Sequence, residues 1–529
     1  VNTFDESTTV LIIEDSHTVR QSLRAMLAQV GIARSEAAVN AADGLQRIRR
    51  KQFDVVLCDY NLGDGMSGQE LLELLRRSNA YPLTSVWIMI TGERKYERVV
   101  AAAEVAPDDY ILKPFSSQTL FDRLRLALQR KLFLRPAHLK LLAGEVSQAL
   151  LTLRQLESIA ENNVQVMDVL RLMAETYMLN DQFSEARQVY EKILAMKAIP
   201  WAKMGMVRIL KEQDDIEQST VILNEIIADA PNYTDAYDAL AQNLTHGGQF
   251  QEALSILEKA VALSPRNFQR LCACGETALN VGDPLKAATY LEKAVLIGRN
   301  NSAFGPGVMV DLLQAYSEGE QLEKMDRLSQ ELGGLLKGEA DQFLLLVCRA
   351  LSTLGRKRYT DAMALLRQAA AFLLLPQTGW RDATRFIEAV ARLPQDIDGY
   401  CAGEWLQQLA LRFVKNHQDV TLMTALSRDN QVMIAAIEAA HTTLQAANDQ
   451  AVAMAKNGQK QQAALMLYGV ATQTRNDRLG MNACSLLLQD SAPESLDKVL
   501  QLMKWLPQDH ERVQGFNAIL SKREILSEG

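Results

Sequence analysis

The stretch VVLCDYNLGDGMSGQEL, residues 55–71, sets the reading of the first part of the chain. Val55 to Cys58 form a short apolar run of the kind a strand buried on both faces requires. Asp59 then places a carboxylate at the end of that run, and the glycine-rich loop behind it leads into the helical pattern QELLELLRR (69–77). The same alternation occurs on either side. TVLIIED (9–15) is an apolar, branched run ending in two acids, followed by helical spacing at Val19, Leu23, Met26, Leu27 and Val30 that Gly31 ends. Ala41, Ala42, Leu45 and Ile48 mark a helix before FDVVLCD (53–59). SVWIMIT (85–91) reads as a further strand, then a helix around Arg98 to Val105, then the strand DYILK (109–113) and a last helix from about Gln118.

Strands and helices alternating at this interval predict a doubly wound α/β fold, because parallel strands need crossover connections. In such sheets ligands bind outside the carboxyl ends of the strands. That rule brings together Glu14 and Asp15, Asp59, Thr91 and Lys113, all at expected strand ends. Three neighbouring carboxylates repel one another, so a hard divalent cation with oxygen ligands suits them, and Mg2+ is the expected cofactor. A lysine and a hydroxyl beside the metal are what a phosphoryl group needs, with Asp59 as the nucleophile. The bland reading of each residue is a solvated strand end. His17, beside the acids, reads as a surface residue at the start of a helix.

The ordered set LIIED, VVLCDYNLGDGMSGQEL, IMITG and DDYILKPF resembles the receiver domain of response regulators of the chemotaxis-regulator type, over residues 9 to about 130. Asp59 follows Asp15 by 44 residues and Lys113 follows Thr91 by 22, the intervals of that family. The resemblance implies a five-stranded parallel sheet and assigns roles. Asp59 is the phosphoacceptor. Glu14 and Asp15 hold or orient Mg2+ together with Asp59 and the backbone carbonyl of Asn61. Thr91 and Lys113 meet the phosphoryl group, Tyr110 is the aromatic switch position, and Lys113-Pro114 is a cis bond. Two positions depart from the pattern. Glu14 stands where aspartate is usual, and Gly68 follows Asp59 by nine residues rather than eight.

Past residue 135 the strand signals stop and a period emerges. Aligning NDQFSEARQVYEKIL (180–194), GGQFQEALSILEKAV (247–261) and VGDPLKAATYLEKAV (281–295) places the small residues Ala186, Ser219, Ala253 and Ala287 at spacings of 33, 34 and 34. Four residues beyond each stands Tyr190, Leu223, Leu257 or Leu291, and Pro231 and Pro265 recur in phase. Small residues let paired helices approach and large ones fill the gap between pairs. This pattern resembles the tetratricopeptide repeat and implies an all-α superhelix with a concave, protein-binding face. If the helices follow the family's phase, Arg171, Glu175, Arg208, Lys211, Asp238, Gln242 and Glu276 line that groove.

The expected organisation is a receiver over 1–130, a connecting helix and first divergent repeat over 131–165, regular repeats over 166–300, and divergent repeats with a cap over 301–529.

At 529 residues the chain exceeds the size of one ordinary core. No run is apolar enough to span a membrane, and VNTFDESTTV lacks the pattern of a secretory leader, so a cytoplasmic location is expected. Six irregularly spaced cysteines suit a reducing compartment, and the Cys272/Cys274 pair reads as two small helix residues. A net charge of −8 argues against a nucleic-acid surface; the basic stretch RLRLALQRKLFLR (123–135) reads as a helix face running into a linker. The expected partners are a histidine kinase or phosphotransfer protein, an unknown protein in the repeat groove, and a second copy of the chain as a candidate for dimerisation. The expected output is protein binding rather than an enzymatic reaction. The alternative is an inhibitor or phosphate sink that binds a histidine kinase and competes with another regulator.

Overall fold

The computed structural model describes residues 8–520 apart from 64–65, 78–83, 93–106, 299–303, 490–491, 509, 511 and 518. The expected helix around Arg98 to Val105 and the middle of the loop after Asp59 lie outside the described residues. The chain divides into two compact units, the first carrying it to Leu240 and the second from Ala241 on, with short exchanges at Ala262–Ser264 and from Ile297.

The first unit opens with β1 (Thr9–Ile13), α1 (His17–Gln29), β2 (Arg34–Ala38), α2 (Ala41–Arg50), β3 (Val55–Asp59), α3 (Gly68–Arg77), β4 (Val86–Thr91) and β5 (Asp109–Leu112). The strands form one parallel sheet in the order β2-β1-β3-β4-β5. Every residue of β3 and β4 is buried, which is why both read as unbroken apolar runs. One face packs Leu11, Val56 and Trp87 against α2 and α3; the other packs Val10, Leu57 and Ile88 against α1 and the long helix Ser117–Leu142. The order in which strands are added reverses between β1 and β3, and the crevice outside their carboxyl ends is where this fold places ligands.

The helix Ser117–Leu142 runs through residue 130 without interruption, so the boundary expected there falls in mid-helix. Its first half covers the sheet, and its second half packs with Val146–Ser158 to form the first helical pair. The basic stretch expected to be a solvated face is largely paired: Arg123 with Asp109, Arg130 with Asp168 and Lys131 with Asp108.

Antiparallel helical pairs follow, beginning with Asn163–Leu179 and Phe183–Met196, then Pro200–Glu212 and Ile216–Asp229. Ala186, Ser219, Ala253 and Ala287 are fully buried, as their phase required. A Cβ at Gly205 would overlap the Tyr190 ring, and one at Gly275 would overlap Leu291, so small residues face large ones at these crossings. In the second unit the helix Trp380–Ala391 is buried over eight consecutive residues, Ala383 to Val390, and is thus enclosed on all sides. Among the described residues no helix is long and apolar enough to cross a membrane.

Candidate functional site

The strand ends deliver the acids. The β1 ladder closes with Ile13, and the Glu14 N–H donates to the Ala38 carbonyl at 3.2 Å, holding the chain in line for one more residue. Glu14 is buried and Asp15 exposed at the start of the loop into α1. Asp59 ends β3 and is 8 % exposed, so its carboxylate is reachable only through the crevice. One carboxylate oxygen from each of Glu14, Asp15 and Asp59 lies within 4.8 Å of the others. Among the described residues this is the group of acidic, histidine or cysteine side chains close enough to hold a metal ion. Such an all-oxygen set suits a hard cation such as Mg2+.

Lys113, just beyond β5, reaches the same point from the other side. Its Nζ donates to Glu14 Oε2 at 2.7 Å and to Asp59 Oδ2 at 2.9 Å. Burial alone would pull the ammonium down, but the bonds to Glu14 and Asp59 outweigh it and its pKa is raised. Glu14 is also raised, chiefly by burial, with the Lys113 bond opposing and Asp59 adding to the rise. Three carboxylates against one ammonium leave the crevice short of positive charge.

Thr91 ends β4, is 4 % exposed, and its carbonyl accepts from the Lys113 N–H at 2.7 Å. Tyr110 lies half-buried in β5, packed against the α2/α3 side of the core. The Lys113-Pro114 bond is cis, as the resemblance implied. Asn61 is exposed two residues past Asp59, in position to present its backbone. In the loop behind it, Gly63 takes φ +79° close to Asp15 Oδ2, a conformation that favours glycine. Gly68 opens α3 so close to the end of β3 that a Cβ there would overlap the Asp59 carbonyl oxygen.

The expected groove residues lie on the first helices of successive repeats, in two separate sets. In the first unit Arg171 pairs with Glu175 at 3.0 Å and stacks over Trp201 at 4.9 Å, Arg208 donates to the Tyr190 hydroxyl at 3.3 Å, and burial pulls Lys211 down. Asp238 is half-buried in the same unit. Gln242 and Glu276 belong to the second unit. There Glu276 faces Arg381 at 3.4 Å, at the edge of an ion network that sequence reasoning missed. Asp311, fully buried, accepts from Arg385 Nε at 2.7 Å and Nη2 at 3.0 Å, and Arg381 Nη2 stands 3.1 Å from the same carboxylate. Gln314 donates to Glu388 at 2.7 Å. Glu276 is therefore a half-buried ion-pair member, pushed up to about 6 by burial against the pull of Arg381.

Residues 10–125 match the family model of the response regulator receiver domain, and residues 234–267 match a tetratricopeptide repeat. The chemotaxis protein CheY-3 of Vibrio cholerae is 31% identical over 121 residues, which make up 23% of this chain and 92% of that protein. The CheY protein of Pseudomonas aeruginosa is 27% identical over 121 residues and 96% of its length. A solved CheY-like receiver domain protein from Methanospirillum hungatei is 29% identical and covers 23% of this chain and 95% of its own, with a TM-score of 0.21. The acids, threonine and lysine gathered at the strand ends thus sit in a matched segment, and through it the chain belongs to the response-regulator receiver family, with a tetratricopeptide repeat in its helical remainder.

Proposed function

We propose that the chain is a cytoplasmic two-component response regulator that takes a phosphoryl group on Asp59 from a histidine kinase or phosphotransfer protein and signals by protein binding through its repeats. The observation that carries this reading is the convergence of Lys113 on both Glu14 and Asp59. An Asp59 carboxylate oxygen attacks phosphorus, the new P–O bond forms as the P–N bond to the donor histidine breaks, and the imidazole leaves. Glu14, Asp15, Asp59 and the Asn61 carbonyl would hold Mg2+, which supplies charge neutralisation for the phosphoryl oxygens. Lys113 moves its bond from Asp59 to a phosphoryl oxygen, and the Thr91 hydroxyl bonds another. Transfer to Asp59 and hydrolysis of the acyl phosphate are the only covalent chemistry in this reading.

The change then needs a route to the repeats. Asp108, immediately before β5, supports one: its Oδ2 accepts from the Trp87 N–H at 2.7 Å and its Oδ1 pairs with Lys131 at 2.9 Å. Arg130, next on the same helix, is bidentate to Asp168 at 2.7 and 2.5 Å on the helix Asn163–Leu179. The strand that carries Tyr110 and leads into Lys113 is thus tied through the long helix to the repeats. Displacing β5 changes those contacts, which is the differential interaction a switch requires.

The test is intact-mass measurement after incubation with acetyl phosphate and Mg2+. One phosphoryl group is expected on the wild-type chain and none on Asp59→Asn; uptake by the variant at the wild-type level would sink the assignment. Hydrogen exchange with the acyl-phosphate analogue beryllofluoride is expected to change over residues 117–179. No change there would remove the long helix from the output.

A further inference from the structure

The receiver's reading leaves one question of geometry open: what holds the exposed end of the acidic pair in place. Asp15 lies beyond the last sheet pairing, in the loop between β1 and α1. The helix begins with the Arg20 N–H donating to the Ser16 carbonyl at 3.0 Å. The side chain of that same Arg20 turns back over the loop. Its Nη1 donates to the Glu14 carbonyl at 2.5 Å and to the Asp15 carbonyl at 2.8 Å. One nitrogen, half-buried on the first turn of α1, thus holds the peptide units of two successive acids.

We infer that Arg20 is a positioning residue for the metal-holding carboxylates, acting through the backbone of Glu14 and Asp15 rather than by touching the metal or the phosphoryl group. The inference rests on the receiver reading above. Charge alone would set Arg20 against the metal, because a cation beside a carboxylate site repels Mg2+. The two roles therefore predict opposite signs. If Arg20 acts only by its charge, removing it tightens Mg2+ binding. If it fixes the loop, removing it lets Asp15 swing away from Asp59 and weakens binding. Residues that orient ligands from outside typically change metal affinity by about 10- to 100-fold.

The test is calorimetric titration of the full chain with Mg2+, with thermal unfolding recorded alongside. Arg20→Met keeps the apolar stem and is expected to raise the Mg2+ dissociation constant about tenfold. A constant equal to or below that of the wild-type chain overturns the inference. Should Arg20→Met lose its fold, Arg20→Lys takes its place. The lysine nitrogen is one bond shorter than Nη1 and cannot span both carbonyls. A rise of several-fold supports the clamp, and equality with wild type overturns it. A wild-type chain that binds no Mg2+ sinks the receiver reading, and the clamp with it. Binding by wild type with unchanged variants sinks the clamp alone.

Discussion

The molecule buries two clusters of opposite charges, and they are built differently. In the crevice of the sheet, Glu14, Asp15 and Asp59 face Lys113, and Asp15 remains open to solvent. In the second unit, Asp311, Asp382 and Glu388 face Arg381 and Arg385, with both oxygens of Asp311 taken up by arginine and no part of it exposed. The first cluster leaves a way in, so a cation and a phosphoryl group can complete it. In the second the carboxylates also outnumber the guanidiniums, but its central acid, Asp311, is bonded through both oxygens and closed to solvent, and its effect is on the packing of helices. Arginine suits the second role because its planar fork matches a carboxylate, whereas a lysine ammonium shifts readily from one oxygen to another.

The largest expected effect separates the two clusters. Asp311→Ala removes the buried carboxylate that two guanidinium groups share, and breaking such a pair costs about 3–5 kcal/mol. Urea unfolding of the full chain is expected to show that loss, while phosphoryl uptake by Asp59 persists. Asp59→Asn is expected to do the reverse: uptake vanishes and stability holds or rises by about 1 kcal/mol, since the change relieves repulsion between carboxylates. A destabilised Asp59→Asn chain, or an Asp311→Ala chain of wild-type stability, would erase the distinction.

A second effect lies where the long helix passes from sheet to repeats. His138 is 4 % exposed, its Nδ1 has no hydrogen-bond partner, and its pKa is held down to about 4, first by burial and then by Lys131, with Arg76 adding to this and Asp108 and Glu175 opposing. A histidine lowered in the folded state stabilises above its unfolded pKa of about 6.5, and that stability is lost as pH falls toward 4. The unfolded chain gains the proton that the folded one refuses. Between pH 7 and pH 5 the loss is about 2 kcal/mol. His138→Leu is expected to flatten that slope in urea titrations of the first unit's transition. An unchanged slope would show that the junction does not exclude the proton.

The sheet was legible to the extent that its strands are buried on both sides. β1, β3 and β4 read as apolar runs for that reason, and the strand-end rule then placed Asp59, Thr91 and Lys113. β2, RSEAA, went unread as a strand because it lies at the sheet edge, half exposed, and carries charges. The repeats declared themselves through small and large residues at fixed spacing. The ion network did not, since Asp311 and Arg385 are 74 residues apart and no period links them. The pairing of Glu276, read as a groove residue, with Arg381 went unseen for the same reason. Arg20 escaped for another reason: its partners are carbonyls, which every residue carries.

The smallest effect tests whether burial, rather than charge pairing itself, gives the two clusters their weight. On the edge strand Glu36 pairs with Lys51 at 3.0 Å and Arg47 at 3.4 Å, and all three side chains are more than a third exposed. The Lys51 bond holds the carboxyl below its usual range, so the pair stabilises above the unfolded pKa and the gain is lost as pH falls through the lowered one. Water and salt screen these charges, and exposed pairs of this kind contribute about 0.2–1 kcal/mol. Glu36→Gln is expected to cost no more than that at low salt and nothing measurable in 1 M salt. Asp311→Ala is expected to keep its full cost in the same salt. A Glu36→Gln loss as large as that of Asp311→Ala, or equal salt sensitivity in the two, would show that burial is not what distinguishes them.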